Sequence, residues 1–381
     1  MPPAGRFIRQ PGGYRVFIPG SLPPSGFVID TPTVRLLSKT DRLLGRLDGA
    51  CDTLPNPDLF VAMYVRQEAV LSSQIEGTQS TLQDVLEFET DRRGAERPKD
   101  VEEVVNYVSA MNYGLQKLEE LPLSNRLIRD LHRILMSRVR GHQRDPGKFR
   151  RIQNWLGSDG CDIRKATYVP PPVSEMNTAL SNLENYIQTD TELPELVRCA
   201  LAHAQFETIH PFLDGNGRIG RLLITLMLCE RQVLQRPLLY LSHYFKRNRL
   251  EYYDRLTSVR TKGDWVGWVK FFLKGVVEVA QEASSTARLI LRMRESHRLL
   301  IGNTLGVHGL KLLDYLFEHP LTNVSTVSEY LKVSFSTANT LIAEFQKLAI
   351  LHEYTGRKRN RRYRYVPYLD LFESRASPFE S

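Results

Sequence analysis

The chain is poor in cysteine and has no long hydrophobic run. Its 381 residues hold four cysteines (Cys51, Cys161, Cys199 and Cys229) with no close-spaced pair, which argues against a disulfide framework and against a cysteine zinc site. The longest apolar stretches, such as Leu222 to Leu228, are far too short to span a bilayer. The start, Met-Pro-Pro-Ala-Gly-Arg, lacks the apolar core of an export signal. The expectation is reduced thiols in a cytoplasm and no membrane partner. No internal repeat or low-complexity tract is present, so repeat architectures drop out. The rest is ordinary for a globular protein, with 42% hydrophobic and 25% charged residues. The length exceeds one usual domain, so two or more modules are expected.

The net charge is +8. Charge alone does not separate a nucleotide, a nucleic acid or an acidic protein as partner. Its placement says more: six of the eight residues from Arg357 to Arg364 are Lys or Arg, with no acid among them.

Prolines and glycines over 1–33 disfavour a helix and predict an extended arm without a fold of its own. From Val34 to Lys274 apolar periodicity predicts helices near Thr33–Asp52, Pro57–Glu76, Leu82–Arg92, Pro98–Lys117, Ser124–Ser137, Ser174–Thr189, Pro194–Glu207, Gly217–Arg231 and Asn248–Thr261. The second of these has Asn56 as its expected N-cap and Pro57 in its first turn. Residues Gly147 to Pro172, with Phe149, Arg150, Trp155 and Tyr168-Val169-Pro170-Pro171-Pro172, suit a short hairpin or flap instead. One or two connecting helices follow Trp265 to about Arg298, and Gly302 to Gly309 reads as a boundary. Beyond it come helices near Leu310–Glu318, Ser325–Leu331 and Ser336–Leu348, then strands Leu351–Tyr354 and Arg362–Val366 around the basic turn. That order describes a winged helix. The fold class expected is mainly α: an all-helical core with a short β-hairpin flap, plus a C-terminal winged helix-turn-helix domain. The divisions are an arm over 1–33, an N-terminal helical region over 34–110, a core over 111–274, a connecting helix over 275–302 and the winged-helix domain over 303–381.

The densest chemical signal runs His210-Pro211-Phe212-Leu213-Asp214-Gly215-Asn216-Gly217-Arg218-Ile219-Gly220-Arg221, followed by an apolar helical run. Gly215 and Gly217 remove side chains that would keep a phosphate from backbone N–H groups, and the helix behind them offers an N-terminus to an anion. Arg218 and Arg221, three apart, lie on neighbouring positions of its first turn. Asp214 is a hard oxygen ligand suited to Mg²⁺ beside polyphosphate. His210, neutral at cellular pH, is able to take a proton from a hydroxyl. Singly, each of these reads as a structural turn, a core histidine or a solvated arginine. Together over twelve residues they point to phosphoryl or nucleotidyl transfer.

This stretch resembles the signature of the Fic family, His-Pro-Phe-x-(Asp/Glu)-Gly-Asn-Gly-Arg-x-x-Arg, at every defined position. The resemblance implies that His210 is the base toward a Ser, Thr or Tyr hydroxyl of a protein substrate and that Asp214 holds Mg²⁺ between the α- and β-phosphates of ATP. It implies that Asn216, Gly217 and Arg218 line the phosphates, with Gly215 and Gly220 in the same cradle, and that Arg221 meets the γ-phosphate. Gly217, where phosphate-transferring relatives of the Doc type tend to carry Lys, is similar to the adenylylating members. Tyr168, Val169 and Pro170 look like the family's target-positioning flap, which adds the incoming backbone as a strand. Tyr240, Tyr244, Asn248, Tyr252 and Tyr253 look like the adenine side, although aromatics at these spacings are more often core. Upstream, Ser72 to Glu76-Gly77 resembles the inhibitory motif (Ser/Thr)-x-x-x-Glu-(Gly/Asn), with Gly77 as a helix stop. There Glu76 would pair with Arg221 and hold ATP in a non-productive pose. A homodimer, and removal of AMP with Glu76 positioning a water, are further expectations from resemblance alone.

At the C-terminus, Ser336, Thr337, Asn339 and Thr340 open the expected recognition helix, with Leu341, Ile342, Phe345 and Leu348 on its buried side. The wing Arg357 to Arg364 suits contacts to a DNA backbone, although winged helices also bind proteins. Two rival functions follow. One is a DNA-binding transcription regulator that uses the Fic-like part as a nucleotide sensor. The other is an enzyme that transfers a different phosphate-linked group from the same cradle.

Overall fold

The computed structural model describes residues 4–52, 57–90, 100–139, 144–158 and 160–373. The N-terminal stretch is not the extended arm that its prolines and glycines suggest. Strands β1 (Gly5–Arg9) and β2 (Arg15–Pro19) pair antiparallel from Gly5↔Pro19 to Arg9↔Arg15. The Pro11-Gly12-Gly13 segment supplies their turn, with Gly13 at φ 82°. Burial of Val16 and Phe17 ties the hairpin to the body of the protein.

Helices α1 (Thr31–Asp52), α2 (Pro57–Ile75), α3 (Leu82–Thr90), α4 (Val101–Leu118) and α5 (Asn125–Leu135) follow. The expected cap at Asn56 and the expected start of α4 at Pro98 lie outside the described residues. Ser124 caps α5 by accepting from the Leu127 N–H at 3.4 Å. After the flap come α6 (Val173–Gln188), α7 (Glu195–Ile209), α8 (Asn216–Glu230), α9 (Ser242–Arg247) and α10 (Arg249–Lys262). Every residue of α7 from Leu196 to Ile209 is buried, so this helix is the hub of the domain rather than an amphipathic surface helix. It packs on α6, α8 and α10. Trp268 locks the next helix onto it, donating from Nε1 to the Ala200 carbonyl at 2.7 Å.

Helix α11 runs from Trp265 to Glu318, with non-helical backbone at Gly306 (φ 56°, ψ −150°) inside the stretch that the sequence marks as a boundary. Strand β3 (Leu321–Asn323), α12 (Val324–Leu331), α13 (Phe335–Lys347), β4 (His352–Glu353), β5 (Arg362–Arg364) and α14 (Val366–Glu373) complete the chain. The strands form a small antiparallel sheet in the order β3-β5-β4. Two of these elements, β3 and α14, were not expected from the sequence, and β4 and β5 are shorter than expected. Side-chain caps start both α12 and α13: Asn323 accepts from the Thr326 N–H and Ser334 from the Thr337 N–H.

Helix α2 is held by α4, α9 and α14. Its Glu68 accepts from the Ser242 N–H and hydroxyl of α9 and from the Tyr107 hydroxyl of α4. Burial pushes the Glu68 carboxyl up to about 7, against these hydrogen bonds and the Arg221 charge. One turn earlier on the same face of α2, Phe372 of α14 meets the Tyr64 ring edge-on at 5.7 Å. It also lines a cleft with Gln67, Val70, Leu71, Gln74 and Lys246. Among the described residues no helix is long and apolar enough to cross a membrane.

Candidate active site

Helix α7 stops at Ile209 because His210 turns into the left-handed region, φ 51° and ψ 60°, an uncommon conformation for a residue with a side chain. The loop that follows is closed by one amide. The Phe212 N–H donates to Asn216 Oδ1, and Asn216 Nδ2 donates to the Phe212 carbonyl, both at 2.8 Å. Gly215, at φ 76°, sits at the N-cap of α8, and the Ile219 N–H donates to its carbonyl. The N–H groups ahead of Ile219 belong to the free first turn of the helix, where an anion is favoured.

His132 of α5 supports this loop from below. Its ring stacks on Phe212 with centroids 3.7 Å apart. Nδ1 accepts from the Gly147 N–H at 2.9 Å, which assigns the ring proton to Nε2, 3.0 Å from the Asp214 carbonyl. Burial pushes this imidazole down to about 4, so it stays neutral. Arg150 straps the flap to the same loop: its Nε donates to the His210 carbonyl at 3.1 Å and its Nη2 to the Pro171 carbonyl at 2.5 Å. Neither His132 nor Arg150 stood out in the sequence, where a histidine within an amphipathic helix and an arginine in a loop carry no chemical signal.

The His210 imidazole is also held neutral, down to about 4, chiefly by burial. The Glu207 carbonyl and the Glu76 carboxylate pull the other way. Its Nδ1 is buried. A proton kept on that nitrogen leaves Nε2 as the acceptor.

Ser72, in the last turn of α2, and Glu76, in the turn just past its end, come to the loop four residues apart. Arg221 Nη2 lies 2.6 Å from Glu76 Oε1 and also donates to the Ser72 carbonyl at 3.0 Å, while its Nε donates to the Ser72 hydroxyl at 2.9 Å. Burial raises the Glu76 carboxyl, but the Arg221 charge and hydrogen bond outweigh it and the net shift is downward. Burial works against the Arg221 charge, and Glu76 more than restores it. Gly217 is where the carboxylate fits: a Cβ built there would collide with Glu76 Oε1. Gly77 follows the helix at φ 98°, as a helix stop should.

Several expected site residues have other tasks. Arg218 does not face the phosphate space. Its Nη1 pairs with Glu103 Oε2 at 2.9 Å with both side chains buried, and its Nη2 lies 3.7 Å from Asp214. Breaking a buried pair from one side costs about 3–5 kcal/mol, so Glu103 fixes Arg218 as a strut of the loop. Asn216 is likewise a structural clasp. The Gly220 carbonyl lies 2.9 Å from His203 Nδ1. Tyr240 and Tyr244 are buried in the core, and Asn248 donates to the Tyr244 carbonyl. Tyr252 is buried, with its hydroxyl 2.9 Å from His203 Nε2. Of the five adenine-side candidates only Tyr253 is exposed, at 38%.

The flap also differs from expectation. Tyr168 and Leu156 bridge antiparallel, the Tyr168 hydroxyl donates to the Thr208 carbonyl at 2.6 Å, and Tyr168, Val169 and Pro170 are all buried. The Val169 carbonyl already accepts from the Phe17 N–H of β2 at 3.1 Å. The N-terminal hairpin therefore already makes one backbone hydrogen bond to the segment expected to take a target. On the other flap strand Ile152 and Trp155 are exposed, at 63% and 44%.

Asp214 remains partly open at 32% exposure, with Oδ1 accepting from the Gly215 N–H. No group of three or more His, Cys, Asp or Glu that could hold a metal occurs among the described residues. A lone carboxylate beside polyphosphate still fits Mg²⁺, which takes one or two protein oxygens and fills its shell with phosphate and water.

The domain is mainly helical and sets a neutral, half-buried histidine next to a glycine-opened helix N-terminus. Residues 34–116 match the Fic/DOC family N-terminal domain and residues 122–228 the Fic/DOC family domain, so the chain belongs to the Fic/DOC family. The protein adenylyltransferase Fic of Drosophila grimshawi is 31% identical over 175 residues, which are 44% of this chain and 32% of that protein. That of Culex quinquefasciatus is 33% identical over 147 residues, 37% of this chain and 25% of that protein. The chain thus spans about a third or less of the curated relatives it matches. Among solved structures, a Fic family protein from Desulfovibrio desulfuricans G20 shares the fold with a TM-score of 0.58 at 21% identity, covering 89% of this chain and 97% of that one. A Fic domain containing signaling protein from Bacteroides thetaiotaomicron VPI-5482 has a TM-score of 0.50 at 19% identity, over 68% of this chain and 97% of that one.

Proposed function

We propose that this protein transfers AMP from ATP to a Ser, Thr or Tyr hydroxyl of a target protein, and that Glu76 holds it in an inhibited state. The observation that carries the reading is the neutral His210 imidazole beside the open first turn of α8. In the proposed reaction His210 takes the proton of the attacking hydroxyl. The oxygen bonds to the α-phosphorus, the bridging P–O bond to the β-phosphate breaks, and pyrophosphate leaves. Asp214 would hold Mg²⁺, which when bound neutralises phosphate charge. The named activity of the insect relatives supports AMP as the transferred group. With the Glu76→Gly chain and a lysate as target, label from α-labelled ATP is expected to enter protein while label from γ-labelled ATP is not. The reverse pattern would replace nucleotidyl by phosphoryl transfer.

A second reading concerns the C-terminal domain. Arg357, Lys358, Arg359, Arg361 and Arg362 line a cleft of about 730 Å³ together with Asn323, Ser325 and Asn339, with no acidic residue among the lining groups. The first turn of α13 beside it is exposed, Phe335 at 60%. This supports contact with a DNA backbone, so the affinity for duplex DNA in a gel shift should fall steeply between about 50 and 200 mM salt. Binding that ignores salt would speak for a protein partner.

A further inference from the structure

One acidic side chain beside the loop has no part in the reaction written above. Glu207, on the last full turn of α7, is 9% exposed. Its Oε1 is buried and has no hydrogen-bond partner among the described residues. A buried acceptor left unmade costs free energy, so such a group calls for a use. The fold makes room for it: a Cβ built on Gly220 would collide with Glu207 Oε1. Gly220, at a position the motif leaves open, is thus a glycine whose missing side chain admits a carboxylate.

The neighbours of Glu207 give its position. Arg221, the expected γ-phosphate contact, with Glu76 now in its grip, and Arg260, Tyr252 and Tyr253 all lie within electrostatic reach of Glu207. Arg260 itself lies over the Tyr168 ring of the flap, 4.0 Å from the centroid. A carboxylate within reach of both the arginine expected at the γ-phosphate and Tyr253, the exposed aromatic of the expected adenine side, stands level with the sugar. A carboxylate offers only acceptors there, which suits hydroxyl donors and nothing else on the nucleotide's sugar.

We propose that Glu207 reads the ribose of the bound nucleoside triphosphate, its carboxylate accepting hydrogen bonds from the sugar's vicinal hydroxyls. This assignment rests on the AMP-transfer reading and deepens it, making Glu207 a specificity residue rather than a second base. Burial pushes the Glu207 carboxyl up to about 7, with Arg221 and Arg260 lowering it and Glu76 raising it. Departure of Glu76 removes one opposing negative charge and favours the accepting, ionised form.

The test is binding, not turnover. Dissociation constants for ATP, 2′-deoxy-ATP and 3′-deoxy-ATP are measured by calorimetry on the full chain carrying Glu76→Gly, then on the same chain with Glu207→Ala or Glu207→Gln added. With Glu207 present, at least one deoxy analogue should bind about tenfold or more weaker than ATP, the effect of one hydrogen bond to a charged group. Glu207→Ala should bring that ratio to near one, and Glu207→Gln, which keeps the shape and one acceptor, should leave it between the two. A ratio unchanged in both variants, or no discrimination with Glu207 intact, overturns the ribose assignment while ATP transfer stands. If the Glu76→Gly chain binds no ATP at all, both readings fall together.

Discussion

His210→Ala in the Glu76→Gly background is expected to cut AMP transfer by about 10²- to 10⁴-fold, the usual contribution of a positioned general base, and to leave ATP affinity nearly unchanged. The two readouts separate chemistry from architecture. His210 closes α7 with its backbone N–H bonded to the Phe206 carbonyl, and Arg150 and Asn154 both donate to its carbonyl. Those contacts belong to the main chain and survive the substitution. Its side chain makes no hydrogen bond to the loop that α8 follows, which Asn216 and His132 hold instead. Transfer is read from α-labelled ATP and affinity from calorimetry. Loss of affinity equal to the loss of transfer would make the imidazole a structural plug rather than a base.

Glu76→Gly alone is expected to raise transfer by about ten- to a hundredfold, the range set by a charge-assisted hydrogen bond of about 1.5–3 kcal/mol that ATP no longer has to displace. Only one of the three bonds to Arg221 is lost. Ser72 keeps its hydroxyl and carbonyl on the guanidinium, so the arginine stays aimed while the place over Gly217 opens. Ser72→Ala is a different experiment, since it loosens Arg221 itself. Labelling that does not change in Glu76→Gly, with the helix content of the protein intact, would remove the inhibitory role.

Much of this site could be read from the chain because its chemistry is local. Twelve consecutive residues carry the loop, and Ser72 and Glu76 are one helical turn apart, so spacing and resemblance suffice to propose a meeting with Arg221. What could not be read is direction. Arg218 and Arg221 sit three apart on one helix, yet Glu103, 115 residues away in sequence, turns Arg218 inward while Ser72 and Glu76 hold Arg221 at the site. Tyr240 and Tyr252 have the composition of a base pocket but are spent on packing against Tyr64 and on a hydrogen bond to His203. The same limit applies at the N-terminus. Seven prolines before Thr33 hide a hairpin because its strands are only five residues each and its stabilising surface, around Val169, is more than 150 positions further on. Helix bounds, by contrast, followed the apolar period closely from α5 to α8, whose starts are set by Ser124, Pro172, Pro194 and Gly215.

The packing of α2 bears on how the arginine is set free. Lifting the whole helix would part Phe372 from Tyr64 and strand the Glu68 carboxyl without Ser242. Swinging the glutamate side chain, 36% exposed, disturbs neither contact. The cheaper motion is therefore a rotamer change within an otherwise fixed wall, so a triphosphate would compete with a single acidic tail rather than with the packing of a nineteen-residue helix.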